Sequence, residues 1–157
     1  MRRLLRTTPG LLLLSLALPL GAQTTAPCSG PRDVCTFFST FISALNRRDW
    51  DAFRATFAED ITVIFAAPGP PARQDGRAAV EAVFQNIFPR PGSPPGPLPP
   101  PLQPDSVRVQ DFGDVAVVTF LLRRPNQLDR RTLVFHRTRD GWRVAHIHGS
   151  SAELSAP

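Results

Sequence analysis

Nine of the sixteen residues from 89 to 104, PRPGSPPGPLPPPLQP, are proline. Proline lacks the backbone N–H and fixes φ, so this stretch can be neither helix nor central strand. It is expected to be an extended, polyproline-like surface loop, a stiff connection between two differently built parts of the chain. The other use of such a stretch is as a docking motif for a proline-binding module. The stretch divides the chain: the part before residue 89 reads mainly as helix, and the part after 104 as strand.

In the first part, Asp33 can cap a helix carrying Val34, Phe37, Phe38, Phe41, Ile42 and Leu45. Those positions follow i, i+3, i+4, i+7, i+8 and i+11, a single apolar stripe. Asp49 then caps a second short helix with Trp50, Phe53 and Phe57 on one side. Glu59-Asp60 makes a turn into a strand over 61–65, and Gly76 opens a third helix with Val80, Val83, Phe84 and Ile87 inward. In the second part, 106–112 alternates, Gly113-Asp114 turns the chain, and 115–122 is apolar on both faces, as a central strand should be. Residues 131–138 and 142–150 form a closing hairpin. The fold class is α+β, a curved mixed or antiparallel sheet wrapped around three N-terminal helices.

The amino terminus has a different character. Arg2, Arg3 and Arg6 precede an apolar run over 11–20, the pattern of a signal peptide cleaved after Ala22. The run is shorter than the roughly 20 apolar residues a membrane-spanning helix needs. The expected organisation is a leader over 1–22, an extension over 23–32 and one domain over 33–152. The expected location is secreted or periplasmic, with no membrane attachment once the leader is gone. Removing the leader's three arginines lowers the net charge from +5 to +2. Every basic residue is Arg, and the arginines do not cluster with aromatics, so nucleic-acid binding is not expected. Cys28 and Cys35 are the only cysteines, and export makes them a disulfide pair. The bridge closes a short loop, worth roughly 2.5 kcal/mol in chain entropy.

FISALNRRDWDAFRATFAED (41–60), GRAAVEAVF (76–84) and FHRTRDGWRVAHIHGSS (135–151) together resemble SnoaL-like, DUF4440-type domains of the nuclear transport factor 2-like superfamily. The resemblance covers nearly all of the mature chain. It implies a cone-shaped pocket between the concave sheet face and the helices, and a homodimer through the outer sheet face. It does not imply one activity, because the superfamily hosts isomerases, epoxide hydrolases, cyclases, binding proteins and oligomerisation modules. The closing hairpin also resembles kinase association domains, which carry arginines on the pocket side. The matching positions here are Leu121, Leu133 and Gly149, which leaves an anion pocket of that type without its arginines.

All three histidines, His136, His146 and His148, stand in the closing hairpin. A three-residue loop at Arg139-Asp140-Gly141 puts Thr138 opposite Trp142 and His136 opposite Val144. All three histidines then share one face with Val134, Trp142, Val144 and Ser150. A two-residue Asp-Gly loop shifts the register by one and moves His136 to the other face. The three-residue loop agrees with the resemblance and is preferred. No nearby strand position offers a carboxylate as a fourth ligand, so neither metal nor cofactor is expected.

The opposite face is assigned to the pocket: Val115, Val117, Thr119, Leu121, Leu133, Phe135, Ala145, Ile147 and Gly149, with Trp50 and Phe65 at its wall. An isomerase of the ketosteroid type needs a carboxylate base and an oxyanion donor. The protein has no tyrosine, and the strand segments 61–65, 115–122, 132–137 and 143–148 contain no acid. The remaining weak candidates for a base are Asp60, His146 and His148. The leading expectation is therefore a domain that binds a small apolar organic ligand. The alternatives are a cofactor-free isomerase, cyclase or hydrolase, and a dimerisation module whose pocket is filled by Phe65, Phe120 and Phe135.

Overall fold

The computed structural model describes residues 28–65, 73–88 and 100–154. The expected leader over 1–22 and most of the proline-rich stretch, 89–99, lie outside the described residues. Three helices and six strands follow in the order α1 (Arg32–Asn46), α2 (Trp50–Arg54), β1 (Phe57–Phe65), β2 (Arg73–Asp75), α3 (Arg77–Gln85), β3 (Asp105–Asp111), β4 (Val115–Arg124), β5 (Gln127–Thr138) and β6 (Gly141–Glu153). The strands form one sheet in the order β2-β1-β6-β5-β4-β3. Every pairing is antiparallel except β1 with β6, which is parallel. The fold is α+β, with a curved open mixed sheet over the helices.

α1 forms as its stripe predicts. Val34, Phe38, Phe41, Ile42 and Leu45 are buried against the sheet. Its cap differs from expectation: Pro31 is the N-cap residue, and Asp33 caps nothing. Asp33 instead accepts hydrogen bonds from Trp142 Nε1 (3.0 Å) and Arg137 Nη2 (2.7 Å). The Trp142 bond, then the Arg137 bond, hold its carboxyl below the ordinary range. The Arg137 guanidinium also lies 4.2 Å from the Trp142 ring, so the start of α1 is tied to the tip of the β5–β6 hairpin. Asp49 does cap α2, accepting from the Ala52 N–H. α2 is only five residues long, because Phe57 leaves it to begin β1.

Cys28 and Cys35 form a disulfide with Cα atoms 5.8 Å apart. The segment it secures is pressed against the sheet edge. Ser29 bridges to Arg108, and Gly30 packs so closely on Val109 that a Cβ there would lie 2.6 Å from the valine Cβ.

The strand faces depart from expectation in two places. In β4 the buried residues are Ala116, Val118, Phe120 and Leu122. Val115, Val117, Thr119 and Leu121 therefore point outward. An apolar run on both faces carries no orientation of its own. Pairing with β5 decides it, since Val118 stands opposite buried Leu133. In the hairpin, Thr138 pairs with Gly141 and Arg137 with Trp142, so the register near the turn is one residue off the expected one. Gly141 takes the positive φ, 103°, that the turn requires. Ala145 then bulges out of the ladder, with Phe135 opposite Val144 but Val134 opposite His146. The extra residue restores the expected register beyond it. Trp142 and Val144 consequently face the core, whereas Ile147 and Gly149 beyond the bulge also do.

Candidate functional site

A cavity of about 380 Å³ opens between the helices and the concave sheet face. That volume lies in the range of small-molecule sites. Its wall is mostly apolar: Phe41, Ile42 and Leu45 from α1, Val83 and Phe84 from α3, and Phe65, Phe120, Leu122, Leu133 and Ile147 from the sheet. Leu102 closes one side. Asn46, the last residue of α1, holds it there by donating to the Leu102 carbonyl (3.0 Å) and accepting from its N–H (2.8 Å).

One end of the cavity is polar. Arg124 and Arg131 line it, and behind them lies Asp129, only 1% exposed. These residues sit where β4 and β5 run further than expected. A tight turn at Pro125-Asn126 joins them, and the ladder continues through Leu122 opposite Asp129 and Arg124 opposite Gln127. Period-two alternation then carries the inward face from Leu133 back to Arg131 and Asp129, and from Leu122 on to Arg124.

Asp129 Oδ1 accepts from Ser151 Oγ (2.6 Å) and Gln127 Nε2 (3.0 Å). Its Oδ2 lies 3.2 Å from Arg124 Nε and 3.4 Å from Arg131 Nη2, without hydrogen-bond alignment to either. Arg131 Nη1 donates to the carbonyls of Arg130 (3.0 Å) and Ser150 (3.2 Å). Burial is the main influence on the Arg131 pKa and lowers it, against the attraction of Asp129. Beneath this guanidinium lies Gly149. A Cβ there would come within 3.1 Å of Arg131 Nη1 and 3.0 Å of the Phe65 ring, so glycine leaves the room that the arginine occupies.

Of the residues expected at the pocket, Phe65, Leu133 and Ile147 line the cavity, and Gly149 underlies its polar end. Phe135 is fully buried against Phe37, with ring centroids 4.9 Å apart, and does not reach it. Trp50 packs instead on Phe53 and Phe88. Val117, Thr119 and Leu121 are on the outer face, as the β4 pairing requires. Asp60 is exposed in the irregular stretch of β1 between Phe57 and Thr62. Arg77, at the start of α3, is held by Glu59 (2.8 Å), Glu81 (2.8 Å) and the Arg54 carbonyl (2.9 Å). The polar group escaped the sequence because the expected strands stop at Leu122 and resume at Arg131, which leaves Arg124 and Asp129 between them. The turn chemistry of Pro125-Asn126 was the signal that could have found it.

The three histidines lie on the outer face. His136 stands opposite Arg143, His146 opposite Val134 and His148 opposite Thr132. His146 Nδ1 and Thr62 Oγ1 share a hydrogen bond of 2.6 Å. Burial, with His148 adding to it, holds the His146 pKa below its ordinary 6.5. The folded protein therefore binds this proton less readily than the unfolded chain does. The stability that the neutral ring contributes is complete above about pH 6.5 and is lost as the pH falls from there through the lowered folded-state pKa. The urea midpoint should drop between about pH 7.5 and about pH 5.5, and the drop should be smaller in His146→Gln. An equal drop in both proteins would place the proton uptake elsewhere.

The model of the SnoaL-like domain family matches residues 34–153. No curated protein matches the chain. Among solved structures, an NTF2-like protein of unknown function from Pseudomonas putida superposes with a TM-score of 0.62 and 23% identity, covering 74% of this chain and 82% of its own. A cystatin-like fold protein from Burkholderia xenovorans gives 0.61 and 22%, covering 80% and 92%. A provisionally named ketosteroid isomerase from Parabacteroides distasonis gives 0.57 and 19%, covering 83% and 93%. At such identities the structural likeness is one of fold. The family match spans the helices, the cavity and the whole sheet, and the chain belongs to the SnoaL-like domain family, with a fold like that of NTF2-like proteins.

Proposed function

We propose that this domain binds a small organic molecule by enclosing its apolar body in the cone, without transforming it. The observation that carries this reading is the cavity of about 380 Å³ with its wall of phenylalanine, leucine and isoleucine. The alternative of catalysis finds less support. Asp60 is exposed away from the cavity, and His146 and His148 belong to the outer sheet face. Asp129 is enclosed by Ser151, Gln127 and two arginines, an arrangement that holds an anion in place rather than presenting it to a substrate. The disulfide suits an oxidising compartment, in keeping with an exported protein.

The test is a neutral fluorescent probe, N-phenyl-1-naphthylamine. It should bind saturably at one site per chain. Val83→Trp, which fills the cavity from α3, should abolish that binding while leaving the melting temperature within a few degrees of the parent, about a 1 kcal/mol change at most. Absence of saturable binding, or binding indifferent to Val83→Trp, overturns the reading.

The outer face adds a second element to the proposal, a homodimer. Val115 is 36% exposed there, and Val117, Leu121 and Val134 beside it are only half-buried, an apolar strip without cover. Light scattering that gives the mass of one chain at micromolar concentration would remove this element.

A further inference from the structure

The polar end of the cavity narrows the class of ligand, on the premise that the cavity is a binding site at all. We propose that the ligand carries a single carboxylate on its apolar body, and that this head sits against Arg131 with Arg124 beside it.

The argument begins with charge. Two guanidinium groups line the cavity, and among the described residues Asp129 is the one carboxylate within ion-pair distance of either. That carboxylate accepts its aligned hydrogen bonds from Ser151 Oγ and Gln127 Nε2 at Oδ1. Its Oδ2 stands between the arginines at 3.2 and 3.4 Å and is aligned with neither. One shared anion leaves one positive charge over, at the end of an otherwise apolar chamber.

Donor accounting points the same way. A guanidinium has five N–H donors. Arg131 uses Nη1 on the carbonyls of Arg130 and Ser150, and its Nη2 lies 3.4 Å from Asp129 Oδ2 without forming a hydrogen bond. Its Nε–H and both Nη2–H donors have no hydrogen-bond acceptor among the described residues. None is sealed from solvent, so a ligand filling the cavity displaces the water that serves them. A purely apolar ligand would leave buried donors unmatched, which is costly. A carboxylate supplies two oxygens in the planar geometry that a guanidinium meets best, and it balances the surplus charge.

The site is also built in advance. The carbonyls of Arg130 and Ser150 and the bare backbone at Gly149 hold the Arg131 guanidinium in place before any ligand arrives. Such pre-organisation lowers the ordering cost of binding. Arg124, with 56% of its side chain exposed, stands at the rim as the more adaptable partner.

Matched acid and alcohol pairs test this: octanoate against 1-octanol, and 4-phenylbutyrate against 4-phenyl-1-butanol, titrated calorimetrically into the intact protein. Each acid should bind at least about tenfold more tightly than its alcohol, the worth of a charge-assisted hydrogen bond. Arg131→Met should bring the ratio close to one while leaving alcohol binding in place. Arg124→Gln, a change at an exposed position that does not threaten folding, should lower the ratio severalfold and serves as the test should Arg131→Met fail to fold. An acid-to-alcohol ratio near one in the parent protein overturns the carboxylate assignment and leaves the apolar pocket standing. A preference for acids that survives both substitutions overturns it too, because the head would then lie elsewhere. If no member of either pair binds, both the assignment and the pocket reading fall.

Discussion

Replacing Asp129 by alanine is expected to lower the unfolding free energy by about 3 kcal/mol, measured by urea denaturation at neutral pH. Removing one partner from a buried ion pair costs about 3–5 kcal/mol, because the charge left behind has lost both water and counterion. The lower end applies here, since Arg124 is 56% exposed and regains solvent, whereas Arg131 at 20% does not. Ser151 Oγ and Gln127 Nε2 also lose their common acceptor. Asp129→Asn separates the causes. It keeps the volume and an oxygen for Ser151 but removes the charge. If the asparagine variant loses nearly as much as the alanine variant, the uncompensated arginines account for the loss. A change below about 1 kcal/mol in Asp129→Ala would show that the carboxylate is not buried between the arginines, because that is the scale of an exposed ion pair.

The second large effect is expected at Phe53, where alanine should cost about 3–5 kcal/mol, the range for emptying a phenylalanine site in a packed core. Phe53 is completely buried on α2. Its ring centroid lies 5.1 Å from that of Phe41, 5.0 Å from Phe57, 5.1 Å from Phe84 and 5.2 Å from Phe88. One side chain thus joins α1, α2, the start of β1 and the end of α3. Such edge and tilted pairs add about 0.5–1.5 kcal/mol each beyond area burial when measured singly, although they do not sum. Phe41 and Phe84 also line the cavity, so Phe53→Ala should weaken N-phenyl-1-naphthylamine binding as well as stability. Phe53→Leu, which refills most of the space, should cost clearly less. Equal losses in the two variants would mean that the space does not matter and that the helix itself has failed.

How much of this was legible beforehand depends on whether the signal was local. The stripe of α1 was readable from Val34 to Leu45 because helical period and burial coincide there. The Asp49 cap was readable for the same reason. The face of β4 was not, since Val115 to Leu122 is apolar on both sides and only its pairing with β5 orients it. The bulge at Ala145 could not be read either, because an alanine suits both a ladder position and the extra position of a bulge. Arg124 and Asp129 fall between the expected strands 115–122 and 131–138, so nothing in the sequence alone placed them on a sheet face, and Arg131 stood at the very start of its expected strand. In the folded sheet Arg124 on β4 and Arg131 on β5 share the one carboxylate of Asp129. The polar end of the cavity is therefore a property of the pairing, visible only after the strands are extended through it.

The parallel contact of β1 with β6 has a consequence for the order in which the molecule can assemble. Thr62 stands beside His146 and Phe65 beside Gly149, partners more than eighty residues apart. β5 and β6 can meet through a short turn, and so can β4 and β5, but β1 has only the short β2 for company until the last strand is present. Pairings of such high sequence separation form late, since the entropy of closing the long loop must be overcome first. During synthesis, α1, α2, β1 and α3 must therefore wait with their apolar faces uncovered. β6 lies between β1 and β5, so its arrival is what joins β1 and β2 to the rest of the sheet.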